Sequence, residues 1–362
     1  MRIVYFSHAL SSCWNHGNAH FLRGVLRELV ARGHDVVSLE PGHSWSRENL
    51  LRDAGPEAAD AWREAYPELE ARRFSLADDP APLVGEADLV LVHEWTDPAL
   101  VARLGALRRA GGRFLLLFHD THHRAVSDPA AMQAYDLAGY DGVLAFGRAL
   151  AHIYRGWGWE GRVFVWHEAA DTRLFRPPAQ EVERAGAVWI GNWGDGERTA
   201  ELEEFLLRPA AAEHLPLTIH GVRYPAAARA LLERTGADYR GWLPNHRAPE
   251  VFARHLLTVH VPRRFYANQL PGIPTIRVFE ALACGIPLVS APWDDSEGLF
   301  TPGRDYLVAS DGAEMRRHLA RLRAEPELRA SLAAHGLGTI RARHTCAARV
   351  DELLAIADRL RA

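Results

Sequence analysis

The first turn of a helix already carries the positive end of the helix dipole, so an arginine there is unfavourable unless an anion joins it. Two segments of this chain place one there. In Pro271-Gly-Ile-Pro-Thr-Ile-Arg-Val-Phe-Glu-Ala-Leu-Ala-Cys-Gly-Ile-Pro-Leu-Val-Ser290, Pro274 and Thr275 suit a helix start, Cys284 and Gly285 its end, and Pro287 to Ser290 a buried strand. Arg277 then falls in the first turn, Glu280 follows one turn on, and Ile276, Phe279 and Ala283 form the apolar stripe. An external anion, phosphate above all, is the simplest partner for Arg277. The alternative is a surface Arg277–Glu280 pair, worth about 0.2–0.5 kcal/mol. Gly191-Asn-Trp-Gly-Asp-Gly-Glu-Arg198 repeats the pattern, with glycines that let the backbone approach a ligand and Arg198 at the next helix start. Its alternative is a solvated arginine beside Glu197 and Glu201.

A second kind of chemistry is offered by Phe118-His-Asp-Thr-His-His-Arg124, which leaves an apolar strand with three imidazoles and a carboxylate. Asp120 is a candidate general base. His119, Asp120, His122 and His123 are also candidate metal ligands, although adjacent residues rarely converge on one ion without a further element. A purely structural loop is the third reading. His93-Glu94 ends the strand before it and is read as acceptor specificity or loop structure. The loop Ser11-Ser-Cys-Trp-Asn-His-Gly-Asn-Ala-His20 joins the first strand to the first helix. Gly17 permits close backbone approach and Asn18 is placed to cap the helix, which suits either a phosphate- or sugar-binding loop or an ordinary capped one. Val259-His-Val-Pro-Arg-Arg-Phe-Tyr-Ala-Asn268 follows a strand in the second half and brings His260, Arg263 and Asn268 toward the 271–290 segment.

These segments need elements to hold them. Strands are predicted at Arg2–Ser7, Asp35–Leu39, Asp88–His93, Arg113–His119, Gly142–Phe146 and Arg162–Trp166, with helices at Ala19–Arg32, Pro98–Arg109 and Arg148–Trp157 between them. Such alternation means a parallel sheet covered on both faces. Residues 41–82 contain helix-like pieces of open topology. Glu168 to Pro178, with paired prolines, reads as a linker, and the alternation then resumes. Its strands are Val188–Gly191, Leu217–His220, Leu256–Val261 and Leu288–Ser290, and its helices lie near Ala200–Leu207, Ala226–Arg234 and Pro249–Arg254. The expected fold is therefore α/β, with two Rossmann-like doubly wound domains facing across a cleft. In open sheets of this kind ligands bind at the strand C-termini.

Composition limits the partners. The net charge of −4 excludes a general nucleic-acid surface, and no apolar run approaches the ~18 residues of a membrane span. The chain opens on a strand rather than a signal peptide, from which a cytoplasmic location is expected. Cys13, Cys284 and Cys346 are too few and too scattered for a disulfide framework or a zinc site. All 42 basic residues are arginine, so a phosphate clamp must use arginine, histidine or backbone N–H groups.

The order Arg277, two apolar residues, Glu280, Ala-Leu-Ala-Cys-Gly and Pro-Leu-Val-Ser resembles the donor-nucleotide segment of GT-B glycosyltransferases, particularly the CgeB-like branch of the family 1 and family 4 enzymes. Asp171-Thr-Arg-Leu-Phe-Arg-Pro177 is similar to their linker, and His344-Thr345 followed by Arg349 to their C-terminal signature. The resemblance implies a sugar-nucleotide-dependent glycosyltransferase, retaining and without an essential metal or other cofactor, the nucleoside-diphosphate sugar being co-substrate. It makes Glu280 the ribose ligand and gives the diphosphate to Arg198, Arg277 and the helix start at Thr275 and Ile276, with Arg263 and Asn268 nearby. His119 becomes the contact to the transferred sugar or the acceptor, and Gly17 and Asn18 part of the glycine-containing first loop. Gly241-Trp-Leu-Pro244 is similar to the turn that reads the nucleobase through backbone atoms. Residues 1–170 become the acceptor-side domain, with the helix 346–362 packing back on it, and 171–345 the donor domain. Many family 4 members carry a second glutamate eight positions before the first, where this chain has Gly272. A GT-B epimerase, or a nucleotide-sugar-binding protein without transfer activity, is the alternative. The acceptor is left unidentified.

Overall fold

The computed structural model describes residues 1–8, 10–194 and 196–362. The chain divides into two compact units, Met1–Glu168 with Cys346–Ala362, and Ala169–Thr345. In the first, the strands are β1 (Arg2–Phe6), β2 (Asp35–Pro41), β3 (Ala71–Phe74), β4 (Leu89–His93), β5 (Leu115–Asp120), β6 (Gly142–Ala145) and β7 (Val163–Val165). They lie in the order β3-β2-β1-β4-β5-β6-β7, and every pair is parallel. The second unit holds β8 (Ala187–Ile190), β9 (Leu217–His220), β10 (Asp238–Tyr239), β11 (Leu257–His260), β12 (Leu288–Ser290) and β13 (Leu307–Val308), in the order β10-β9-β8-β11-β12-β13, again all parallel. Both sheets are doubly wound. Their strand order reverses beside the first strand of each, between β1 and β4 and between β8 and β11, and such a reversal opens a crevice at the strand C-termini.

The central strands are apolar throughout because helices cover both faces. Ile3, Val4, Leu89, Val90, Leu91, Leu116, Leu117 and Val143 are all fully buried. The stretch 41–82, whose topology the sequence left open, forms the helix Trp45–Asp60 and the edge strand β3. The helix is kinked where Gly55 takes φ 81° ahead of Pro56. β3 escaped detection because Arg72 and Arg73 are exposed on an edge, where charge replaces the apolar alternation. The helix expected over 200–207 is broken into Thr199–Leu202, a π-turn over Glu203–Leu207 and Arg208–Ala212. Pro209 explains the break, since its ring lacks an N–H and clashes with the carbonyl four residues earlier. The segment 259–268 is likewise not all loop, because Arg264–Gln269 is helical.

The residues of the C-terminal signature end in different units. His344 packs among Phe279 and Phe300 and is hydrogen-bonded through Nε2 to the Leu299 carbonyl (2.9 Å), all in the second unit. Arg349 belongs to the helix Cys346–Arg361, which lies on the first unit against the helix Ala19–Ala31. There Arg32 donates to Asp351 (2.6 Å) and to the Ala347 carbonyl (3.0 Å), and Trp166 Nε1 donates to the Arg349 carbonyl (2.8 Å). Val350, Leu353 and Ala357 are fully buried. Leu353→Ala should therefore lower the stability of the first unit by about 2–5 kcal/mol, read as a shift of its urea midpoint.

Candidate active site

In the second unit, the ends of β8 and β11 are joined by one side chain. Arg198 donates Nη1 to the Val261 carbonyl (2.8 Å), just past β11, and Nη2 to the Asn192 carbonyl, just past β8. It is 9% exposed, its guanidinium lies over the Trp189 ring at 5.3 Å, and its Nε has no hydrogen-bond partner among the described residues. Burial, with the Arg263 charge nearby, lowers its pKa to about 10, so it stays charged at neutral pH. The solvated arginine beside Glu197 and Glu201 is thus not what forms. Those two carboxylates serve Arg263 (2.7 Å) and Arg264 (2.6 Å) instead. Asp195, within the same turn, lies outside the described residues.

The helix Ile276–Ala283 starts beside this guanidinium's charge, since Arg277 and Arg263 both act on Arg198. Thr275 occupies the cap position in extended geometry, yet its side chain caps no N–H of its own helix. Its hydroxyl is hydrogen-bonded to His260 Nε2 (2.9 Å), while His260 Nδ1 meets Ser290 Oγ (2.8 Å). Ser290 spends its proton on the Ala291 carbonyl (2.7 Å), so it must accept from Nδ1–H. Burial, then Arg198 and Arg277, push the His260 pKa down to about 3, which leaves Nε2 an unprotonated acceptor for the Thr275 hydroxyl. The Thr275 carbonyl accepts the Val278 N–H (3.0 Å). The N–H groups of Ile276 and Arg277 precede the first residue with an acceptor inside the helix and suit an anion.

Glu280 is fully buried. Arg277 donates to its Oε2 and Asn245 Nδ2 to its Oε1 (2.8 Å). The Arg277–Glu280 pair therefore exists, but in the interior rather than on the surface. The helix has no solvent face to speak of, because Val278, Ala281 and Leu282 are buried along with the expected stripe. Asn245 stands in a short turn following Gly241–Pro244, 35 positions from Glu280, and spacing gave no sign of it. Asn268 is exposed on the short helix Arg264–Gln269, outside this hydrogen-bonded group. Gly272 takes φ +81°, and a Cβ there would stand 2.4 Å from Glu297 Cγ. A glutamate at 272 would be both strained and obstructed.

In the first unit, the ends of β1, β4 and β5 carry a second cluster. His119 is fully buried on β5, with Nδ1 hydrogen-bonded to Tyr5 Oη (2.7 Å), its ring against Trp166 (4.8 Å) and Nε2 without a hydrogen-bond partner among the described residues. Burial holds its pKa well below the usual value, so it is neutral. Asp120, also fully buried, accepts from Tyr154 Oη (2.8 Å) and from the His122 N–H (3.0 Å). Burial, then Glu94, raise its pKa to about 8, so near pH 7 it is mostly a neutral acid rather than a ready base. Glu94 is raised to about 8 by burial too, beside His93 (2.6 Å). The Asn18 side chain does not cap its helix. Its Nδ2 donates across to Thr121 Oγ1 (2.8 Å), which also meets His93 Nε2 (3.1 Å), tying the turn that holds Gly17 to the end of β5. His123 Nδ1 is bonded to Ser127 (2.9 Å), and among the described residues no three His, Cys, Asp or Glu side chains are grouped to hold a metal ion. The two tyrosines could not have been found from spacing, since only the fold brings Tyr5 of β1 and Tyr154 of the helix Arg148–Gly156 to β5.

These geometries set two expected outcomes. Acids whose pKa is raised on folding bind protons that the unfolded chain has released, so stability falls as pH rises from about 5 to 8. Asp120→Asn should flatten that decline in pH-dependent urea melts. Glu280→Ala leaves Arg277 and Asn245 without their shared partner in the interior and should cost about 3–5 kcal/mol, read by the same melts.

Residues 198–355 match the family model described as glycosyl transferase-like. No curated protein matches the chain. Among solved structures, sucrose-phosphate synthase from Thermosynechococcus elongatus is 16% identical over 99% of each chain, with a TM-score of 0.67. HepE from Anabaena, in complex with UDP and glucose, is 13% identical over 98% of each chain, with a TM-score of 0.68. T4 phage BGT, in complex with its UDP-glucose substrate, is 13% identical over 99% of this chain and 100% of its own, with a TM-score of 0.62. Residues 198–355 are thus similar to a glycosyl transferase-like domain, and the two doubly wound sheets share the GT-B fold of these solved structures.

Proposed function

We propose that the protein transfers a sugar from a nucleoside-diphosphate sugar to a hydroxyl-bearing acceptor, and that the second unit binds the donor. One observation carries this reading: a buried guanidinium that makes no ion pair with a carboxylate among the described residues sits at the strand-order reversal of the second sheet, beside two further arginines. As the bond to the sugar breaks, the leaving diphosphate gains charge. Arg198, Arg263, Arg277 and the N–H groups after Thr275 are placed to stabilise it without reorganising. His260 keeps the Thr275 hydroxyl off those N–H groups. Glu280, already oriented by Asn245 and Arg277, takes the ribose hydroxyls. The complexes of HepE and T4 phage BGT with UDP or UDP-glucose support a nucleotide-sugar donor and make UDP-sugars the first to test.

Three finer parts of the reading rest on other grounds. Retention of anomeric configuration rests on the resemblance to family 4. Independence of divalent metal rests on the arginine set, which supplies the charge a metal would. In the first unit, the neutral His119 meets the sugar or acceptor through Nε2, and Asp120 is the group behind it. A cytoplasmic setting fits three free cysteines, and no helix of the described residues is long and apolar enough to cross a membrane.

Incubation with UDP-, GDP- and dTDP-sugars, with and without acceptor alcohols and saccharides, tests the reading. Acceptor-dependent nucleotide release that survives EDTA is the expected result, and Arg198→Ala should lower it by about a hundredfold. Acceptor-free isomerisation of the donor would mark an epimerase, and binding without turnover a nucleotide-sugar-binding protein.

A further inference from the structure

Large apolar side chains exposed among the described residues are three, Trp45, Leu76 and Trp95. Trp95 stands apart because of where it is and how it is held. It follows His93 and Glu94 at the C-terminal end of β4, beside the strand-order reversal of the first sheet. It is 41% exposed, yet its surroundings fix it. The Arg124 guanidinium lies over the ring at 4.6 Å, and His122 meets it edge-on at 5.3 Å. Arg124 is itself anchored by the Glu94 carbonyl (3.1 Å) and Tyr135 Oη (3.4 Å). The indole is thus a preorganised apolar plate rather than a loose surface side chain.

The rim of that plate is polar, with imidazoles beside the Arg124 guanidinium. The His8 ring lies 6.1 Å from the indole, and its Nδ1 is buried without a hydrogen-bond partner among the described residues. Its Nε2 is taken by His16 (3.1 Å). An apolar plate beside an unsatisfied imidazole nitrogen matches a pyranose, whose C–H face stacks on an aromatic ring while its rim hydroxyls seek hydrogen bonds. A lipid chain would instead need a contiguous apolar patch of several hundred Å², which one indole among imidazoles does not supply.

We infer that the acceptor is a carbohydrate, and that one of its sugar rings stacks on Trp95 with a hydroxyl bonded to His8 Nδ1. This rests on the proposed transferase reading, in which the first unit receives the acceptor. The test uses the full chain saturated with UDP. Methyl glycosides and disaccharides of glucose, galactose, mannose and N-acetylglucosamine are titrated in and followed by saturation-transfer NMR, while UDP affinity is measured separately by calorimetry.

At least one of these saccharides should bind. Trp95→Ala should weaken it by about tenfold or more, Trp95→Phe by about threefold or less, and His8→Ala by an intermediate factor. UDP affinity should be unchanged in all three variants. Saccharide binding that survives Trp95→Ala, or no saccharide binding at all while a lipid or peptide is glycosylated, overturns the inference and leaves the transferase reading standing. Loss of Trp95→Ala to misfolding is covered by Trp95→Phe and His8→Ala, since equal affinity in both and in the wild type would also overturn the inference. Failure to bind UDP or any other nucleotide, with saccharide binding intact, would remove the donor reading instead.

Discussion

A buried guanidinium held by two backbone carbonyls is the constraint from which the second unit's site follows. Reversal of strand order sends the chain away from β8 and β11 in different directions, and the carbonyls just beyond the two strands would otherwise lack a common partner. Arg198 satisfies both, and its planar fork suits that task better than an ammonium group would. The arrangement concentrates positive charge, because Arg263 and Arg277 bear on the same guanidinium. Carboxylates pair with the two neighbours, Glu197 with Arg263 and Glu280 with Arg277, while Arg198 makes no ion pair among the described residues. The balance that remains favours an anion.

Around it, hydrogen bonds decide which polar groups stay available. The neutral His260 draws the Thr275 hydroxyl away from its helix and leaves the first-turn N–H groups open. Asn245 and Arg277 hold the Glu280 carboxylate in one orientation inside the core. A buried carboxylate is costly unless paired, so these partners keep the helix folded as well as aimed.

The first unit works by the opposite electrostatics. Burial lowers the pKa values of His93 and His119 and raises those of Glu94 and Asp120, and both shifts favour neutral forms near pH 7. The ends of β1, β4 and β5 therefore hold a buried group of uncharged donors and acceptors, with the Trp95 ring and the Arg124 guanidinium at its border. Such a group offers neutral hydrogen-bonding partners, whereas the arginine cluster of the second unit suits an anion.

The alternation of apolar strands and amphipathic helices was enough for the doubly wound class, because a strand buried on both faces must read as an apolar run. Arg277, Arg198 and Glu280 could be singled out because a charge is anomalous in an apolar helix or at its positive end. β3 and the break at Glu203–Leu207 were not legible in the same way, since an exposed edge strand lacks the pattern and a π-turn depends on how one proline is accommodated. Asn18 and Thr275 have the right type and position to cap helices, but each hydroxyl or amide finds a partner remote in sequence. Sequence alone thus determined the residue types, the periodicity and the positions of the strand ends, which are local properties of the chain. Only the tertiary structure decided which distant groups meet them: Asn245 with Glu280, Tyr5 with His119, and two backbone carbonyls with Arg198. Hydrogen bonding and desolvation depend on that spatial company, and no spacing along the chain encodes it.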